Sequence, residues 1–92
     1  MIKSFKCVDT QSLHEGRQVV RFVNIERVAL RKLRQPEIAE HLNDLRIPPQ
    51  NRLEALKGNR KGQHSIRIND QWRVCFVWRS GNAHDVEIVD YH

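Results

Sequence analysis

Two cysteines, three prolines, four glycines and a single tyrosine are found among 92 residues. Cys7 and Cys75 stand far apart and outside any CxxC pattern, which removes the spacing that a zinc site needs. Cys75 lies among strand-forming apolar residues and reads as core rather than redox-active. The opening Met1-Ile2-Lys3-Ser4-Phe5 alternates in polarity without a long apolar run. Neither a secretory signal nor a membrane-spanning helix is therefore expected, and no membrane partner. A cytoplasmic chain with two unpaired thiols is the simplest reading. There is no internal repeat or long linker, and His14, His41, His64 and His84 show no metal-ligand spacing. No metal and no cofactor are expected. One domain over residues 1–92 must use most of its apolar residues in a single core, with little room for a cofactor-sized cavity.

What the chain does have is positive charge. Sixteen Lys and Arg against eleven Asp and Glu give a formal charge of +5. Cations neutralise phosphates and release their condensed counterions, so a polyanionic partner is favoured. Charge by itself also serves solubility or a protein partner. Arg17, Arg21, Arg27, Arg31, Lys32 and Arg34 extend the basic character into the first half, either as a surface for a polyanionic partner or as a solvated helix face.

The pattern along the chain predicts helices first and a meander after them. Residues 2–6 read as a short strand, and Asp9 as the cap of a helix over 10–15 that Gly16 ends. A second helix begins near Asn24, with Ile25, Val28, Ala29 and Leu33 at helical spacing. Pro36 suits the first turn of a third helix carrying Ile38, Leu42 and Leu45. Pro48-Pro49 stops the helical region. Strands follow over 53–57, 64–69, 72–79 and 84–91, giving an α+β domain with helices on one sheet face. Alternation turns Ile66, Ile68, Val74, Phe76, Val86 and Ile88 towards the helices. It leaves Arg67, Arg73, Glu87 and Tyr91 on the other face, a cationic and phenolic set suited to an anionic ligand.

Cleaving RNA by internal transfer needs no cofactor. The 2′-hydroxyl must lose a proton, the leaving 5′-oxygen must gain one, and the crowded phosphate needs positive charge beside it. Lys57, Arg73, Asp90, Tyr91 and His92 are the right residue types, on strands expected to be neighbours. Arg73 could hold a phosphate through two parallel hydrogen bonds, or pair with Glu87 or Asp85. Tyr91 could stack on a base or close the last strand. Histidine, titrating near pH ~6.5, suits His92 to proton transfer, with Asp90 as partner or orienter. Arg60 and Lys61, on the 58–62 loop, and Arg67 are candidate RNA contacts. Trp72 and Trp78 read as sheet packing.

Residues 51–60 (Asn51-Arg52-Leu53-Glu54-Ala55-Leu56-Lys57-Gly58-Asn59-Arg60) resemble the basic strand and loop of HigB-type toxins. Gln63 to Arg73 is similar to the hairpin that follows, and Val89-Asp90-Tyr91-His92 to the family ending. The resemblance implies a RelE-like domain, with an N-terminal strand and helices on a mainly antiparallel twisted sheet. It implies a type II toxin and ribosome-dependent endoribonuclease cutting mRNA during translation. The implied partners are a HigA-like antitoxin with a helix-turn-helix module, the ribosome and mRNA, and operator DNA only through the toxin–antitoxin complex. Some HigB toxins carry a histidine where this chain has Glu54, whose carboxylate can accept a proton but cannot be a cation. A ParE-like gyrase poison and a non-catalytic binding module are the alternatives; the Asp90-Tyr91-His92 ending and the Lys57/Arg73 pair argue against the first.

Overall fold

The computed structural model describes residues 1–90; Tyr91 and His92 lie outside them. Helices α1 (Val8–His14) and α2 (Glu26–Ile38) precede strands β1 (Glu54–Ala55), β2 (His64–Arg67), β3 (Trp72–Arg79) and β4 (Asn82–Asp90). The strands form one antiparallel sheet in the order β1-β2-β3-β4. This is the expected α+β arrangement. Ile66, Ile68, Val74, Phe76, Val86 and Ile88 are all buried, packed with Leu13, Phe22, Ile25, Ala29 and Leu33. Each large side chain so buried contributes about 1.5–3 kcal/mol. Trp72 meets Phe22 edge-on with centroids 5.6 Å apart, and Trp78 meets Phe76 the same way at 6.4 Å. Both tryptophans are sheet packing, as the pattern suggests.

The helices depart from expectation at their ends. Asp9 does not cap α1 but sits in its first turn, where the positive helix end favours a carboxylate. Ile25, not Asn24, occupies the cap position of α2. No helix starts at Pro36; α2 runs through it to Ile38. Only two helical residues follow the proline, so the lost bond to the carbonyl of residue 32 falls in the final turn. Leu42 and Leu45 lie instead on a separate 3₁₀ turn (Leu42–Arg46). The Asp44 carboxylate closes that turn by accepting the backbone N–H groups of His41 and Glu40, which hold its pKa below the usual value.

The buried side of α2 contains Ala29, Lys32, Leu33 and Pro36. Lys32, 5% exposed, is the charged exception. Its ammonium donates to Asn51 Oδ1 at 2.6 Å, and the fully buried Asn51 amide donates to Gln35 Oε1 and to the carbonyls of Leu45 and Ile47. One asparagine thereby ties α2 to the segment leading into the sheet. Burial, with Arg31 and Arg67 acting in the same direction, lowers the Lys32 pKa.

The first strand is reduced to two parallel bridges, Ile2 with Ala83 and Phe5 with Val86. Between them Asp85 turns to φ 52°, at the register shift of β4 against β3, and interrupts the ladder. Ser4 bridges the gap by accepting the Asp85 N–H on its hydroxyl at 2.8 Å. Further along, the buried Ile88 N–H donates to Thr10 Oγ1 at 2.9 Å. The outer side of β4 is thus hydrogen-bonded by the N-terminal segment and α1, which limits its exposure as a sheet edge. β1 is shorter than the expected 53–57, because Arg52 before it is left-handed at φ 46° and Lys57 opens a 3₁₀ turn (Gly58–Arg60).

Two measurements test this packing. Thr10→Val keeps the volume but leaves the Ile88 N–H without its acceptor. It should cost about 1–3 kcal/mol in urea unfolding, and an unchanged midpoint would contradict the contact. Cys75, fully buried, has its thiol pKa raised by desolvation to about 11. It should resist thiol reagents at pH 8 until the protein is denatured, whereas the partly exposed Cys7 reacts in the folded state. Because folding raises this pKa, its contribution to stability is full below the ordinary thiol value of 9.0 and is lost as pH climbs towards 11.

Candidate active site

The sheet face turned away from the helices is built in two rows. One runs across all four strands, with Glu54 opposite Ser65, Ser65 opposite Cys75 and Cys75 opposite Glu87. One pleat along, Arg67 stands opposite Arg73 and Arg73 opposite Val89. Cys75 and Ser65 form a fully buried floor. Arg73, Glu54, Arg60 and Glu87 lie close enough to the Cys75 sulfur to bias its titration, although burial dominates. Over this floor the charges are paired. Arg73 Nη1 donates to Glu54 Oε1 at 2.7 Å, and Arg60 Nη1 donates to Glu87 Oε1 at 2.9 Å.

Arg73 is held on a second side as well. Its Nη2 donates to the Arg52 carbonyl at 2.9 Å, and its side chain is only 11% exposed. A guanidinium gripped through two nitrogens is fixed in plane and direction, which an ammonium could not be. Beside it opens a cleft of about 260 Å³ lined by Arg52, Arg67, Asn69, Asp70 and Arg73. Three arginines line it, and the planar forks of such side chains match a phosphate or carboxylate. Arg67 pairs with Asp70 at one rim, and the Arg52 guanidinium has no acidic partner among the described residues.

The structure gathers Arg67, Arg73 and Glu54 into this one site. Arg73 pairs with Glu54 rather than with Glu87 or Asp85, since Glu87 is occupied by Arg60, with Lys6 at 3.9 Å. Arg60 is accordingly not carried on a free loop; it is pinned across the sheet by Glu87 and Gln63. Lys57 and Lys61 are exposed on the connection between β1 and β2, where their backbones close the 3₁₀ turn, and neither side chain makes a hydrogen bond or ion pair among the described residues. Asp90 stands opposite Trp72, on the parity of Ile88 rather than that of Arg73, and accepts from Gln71 Nε2 at 3.1 Å. Tyr91 and His92 lie outside the described residues.

Sequence reasoning did not find Arg52, Asn69 or Asp70. The hairpin count could have placed Asn69 and Asp70 beside Arg67 and Arg73, because their turn brings those arginines into register. Arg52 carries no local signal, since nothing in the sequence marks a non-glycine residue for positive φ.

Comparison with known proteins bears on this arrangement. The family profile described as the RelE-like toxin of type II toxin–antitoxin system HigB matches residues 10–92. Toxin HigB-1 of Vibrio cholerae is 50% identical over 60 residues, which is 65% of this chain and 63% of that protein. A protein of Haemophilus influenzae is 35% identical over 63 residues, 68% of this chain and 62% of its own length. Endoribonuclease HigB of Proteus vulgaris is 39% identical over 41 residues, 45% of each. The matched stretch thus spans less than two thirds of each of these relatives. With a family match running from α1 through β4, the chain belongs to the HigB toxins, RelE-like toxins of type II toxin–antitoxin systems.

Proposed function

We propose that residues 1–92 act as a single toxin domain, a ribosome-dependent endoribonuclease that cuts translated mRNA. The observation that carries this reading is the convergence of Arg52, Arg67 and Arg73 on one open cleft, with the Glu54 carboxylate 2.7 Å from Arg73. The name of the Proteus vulgaris relative, Endoribonuclease HigB, supports the reaction class.

In this reading Arg73 takes the scissile phosphate in its fork, and Arg52 and Arg67 neutralise the flanking backbone. The 2′-oxygen gives up its proton and attacks phosphorus, and the bond to the 5′-oxygen breaks as that oxygen is protonated. The products end in a 2′,3′-cyclic phosphate and a 5′-hydroxyl. Glu54 is a proton acceptor beside the phosphate, His92 is the proton donor to the 5′-oxygen with Asp90 as its orienter, and Tyr91 stacks on a base or orients the attacking hydroxyl. Lys57, exposed on the turn after β1, offers a further cation to stabilise the phosphate, and Arg60 and Lys61 extend the basic rim. The ribosome positions the substrate, which lets a site of modest acid–base strength work. A HigA-like antitoxin with a helix-turn-helix module is the partner, and it carries the pair to operator DNA.

The test is induction of the chain in bacterial cells with mapping of new mRNA 5′ ends. Wild type should arrest growth and produce cuts inside translated frames. Arg73→Ala should lower cleavage by roughly 10²–10³-fold, the cost of losing one positioned charge-stabilising group. Arg73→Lys should rescue little, because it keeps the charge without the fork. Growth arrest with DNA breaks and intact mRNA would point to gyrase instead. Full toxicity of a folded Arg73→Ala protein would remove the cleft from the mechanism.

A further inference from the structure

We propose that Lys32 and Asn51, which do not line the cleft, are positioning residues that set its geometry through the backbone of Arg52. The inference rests on the reading of the cleft as the anion site. Asn51 holds both sides of a closed circuit. Its side-chain oxygen takes the Lys32 ammonium from α2, and its amide grips the carbonyls of Leu45 and Ile47 and the side chain of Gln35. Its backbone N–H donates to the Pro48 carbonyl at 2.9 Å, and that of Arg52 to the Pro49 carbonyl at 3.1 Å. The chain therefore leaves Asn51 in a fixed direction and enters Arg52 at φ 46° and ψ 55°.

A left-handed arginine is unfavourable without surrounding restraint. Here the restraint has a visible product. The Arg52 carbonyl accepts Arg73 Nη2 at 2.9 Å while Arg52 itself joins the cleft wall. One backbone conformation thus aims two of the three arginines. Lys32 also lies within electrostatic reach of Arg67, the third, so its ammonium adds positive potential from behind the site. A lysine that only filled space on α2 would be replaced without loss by an apolar side chain. A relay makes a different demand: the folded protein must lose the orientation of Arg73 when Asn51 or Lys32 changes.

The experiment follows the Nε–H resonances of Arg52, Arg67 and Arg73 in ¹⁵N-labelled protein, titrated with a 2′-O-methyl RNA trinucleotide that cannot be cut. Inorganic phosphate is a second probe. Lys32→Met, Asn51→Asp and Thr10→Val are compared with wild type, each under conditions where it is folded. The relay variants should shift the Arg73 resonance and weaken trinucleotide binding at least tenfold. Thr10→Val, destabilised at a distant contact, should leave both unchanged. If Lys32→Met and Asn51→Asp do not fold, Gln35→Leu removes one outer bond of the same circuit and should shift Arg73 in the same direction by less. Relay variants with wild-type Arg73 resonance and wild-type affinity would overturn the proposal while leaving the RNA reading intact. Wild-type protein that ignores the trinucleotide but binds phosphate with Arg73 still responsive to Lys32 would do the reverse.

Discussion

A short chain with two helices covers a four-stranded sheet on one face only, and the rest of the structure answers that constraint. The covered face is apolar and conventional, from Ile66 and Val74 to Ile88. The uncovered face still buries Ser65 and Cys75 completely, so something other than a helix must shield them. Side chains of opposite charge do it, Arg73 with Glu54 and Arg60 with Glu87. Long arginine stems supply apolar cover, and their heads remain at the surface in pairs. Charge on this face is therefore structural before it is functional. Arg73 belongs to both, roofing the floor and forming part of the cleft wall.

Much of this was legible in the sequence because it depends on short-range periodicity. The period-2 pattern turned Ile66, Ile68, Val74, Phe76, Val86 and Ile88 to the core face, and Arg67 and Arg73 to the other side. The hidden features all depend on contacts between distant segments. Lys32 reads as part of a solvated helix face until Asn51, nineteen residues later, provides a buried acceptor. Pro36 reads as a helix start, yet packing of the final turn of α2 carries the helix through it. Glu54 and Arg73 are likewise nineteen residues apart, and a strand of two residues gives little pattern from which to predict their pairing. The β4 bulge at Asp85 that shortens the N-terminal strand also has no glycine to announce it.

The family match and the geometry support each other at different levels. The match shows the lineage, and the geometry explains why the segment from Asn51 to Arg73 is so rich in arginine. Arg52 supplies a carbonyl and a cation, Arg67 a cation in register with Arg73, and Arg73 the group held from two sides. These residues come from the turn before β1, from β2 and from β3. Arginines so close together would repel one another in an unstructured chain. Their convergence is sustained by Glu54, Asp70 and the Arg52 carbonyl, each placed by the sheet or its turns.

The Arg73–Glu54 contact has a consequence for any anion that enters. Arg73 has already exchanged much of its water for a carboxylate and a carbonyl, with 11% of its side chain left exposed. An incoming phosphate does not have to strip a fully hydrated cation; it substitutes for an internal counterion. The exchange is nearly even in charge, so the guanidinium keeps its orientation while one oxygen replaces another. On the proposed reading, that exchange frees the Glu54 carboxylate within reach of whatever the phosphate brought with it.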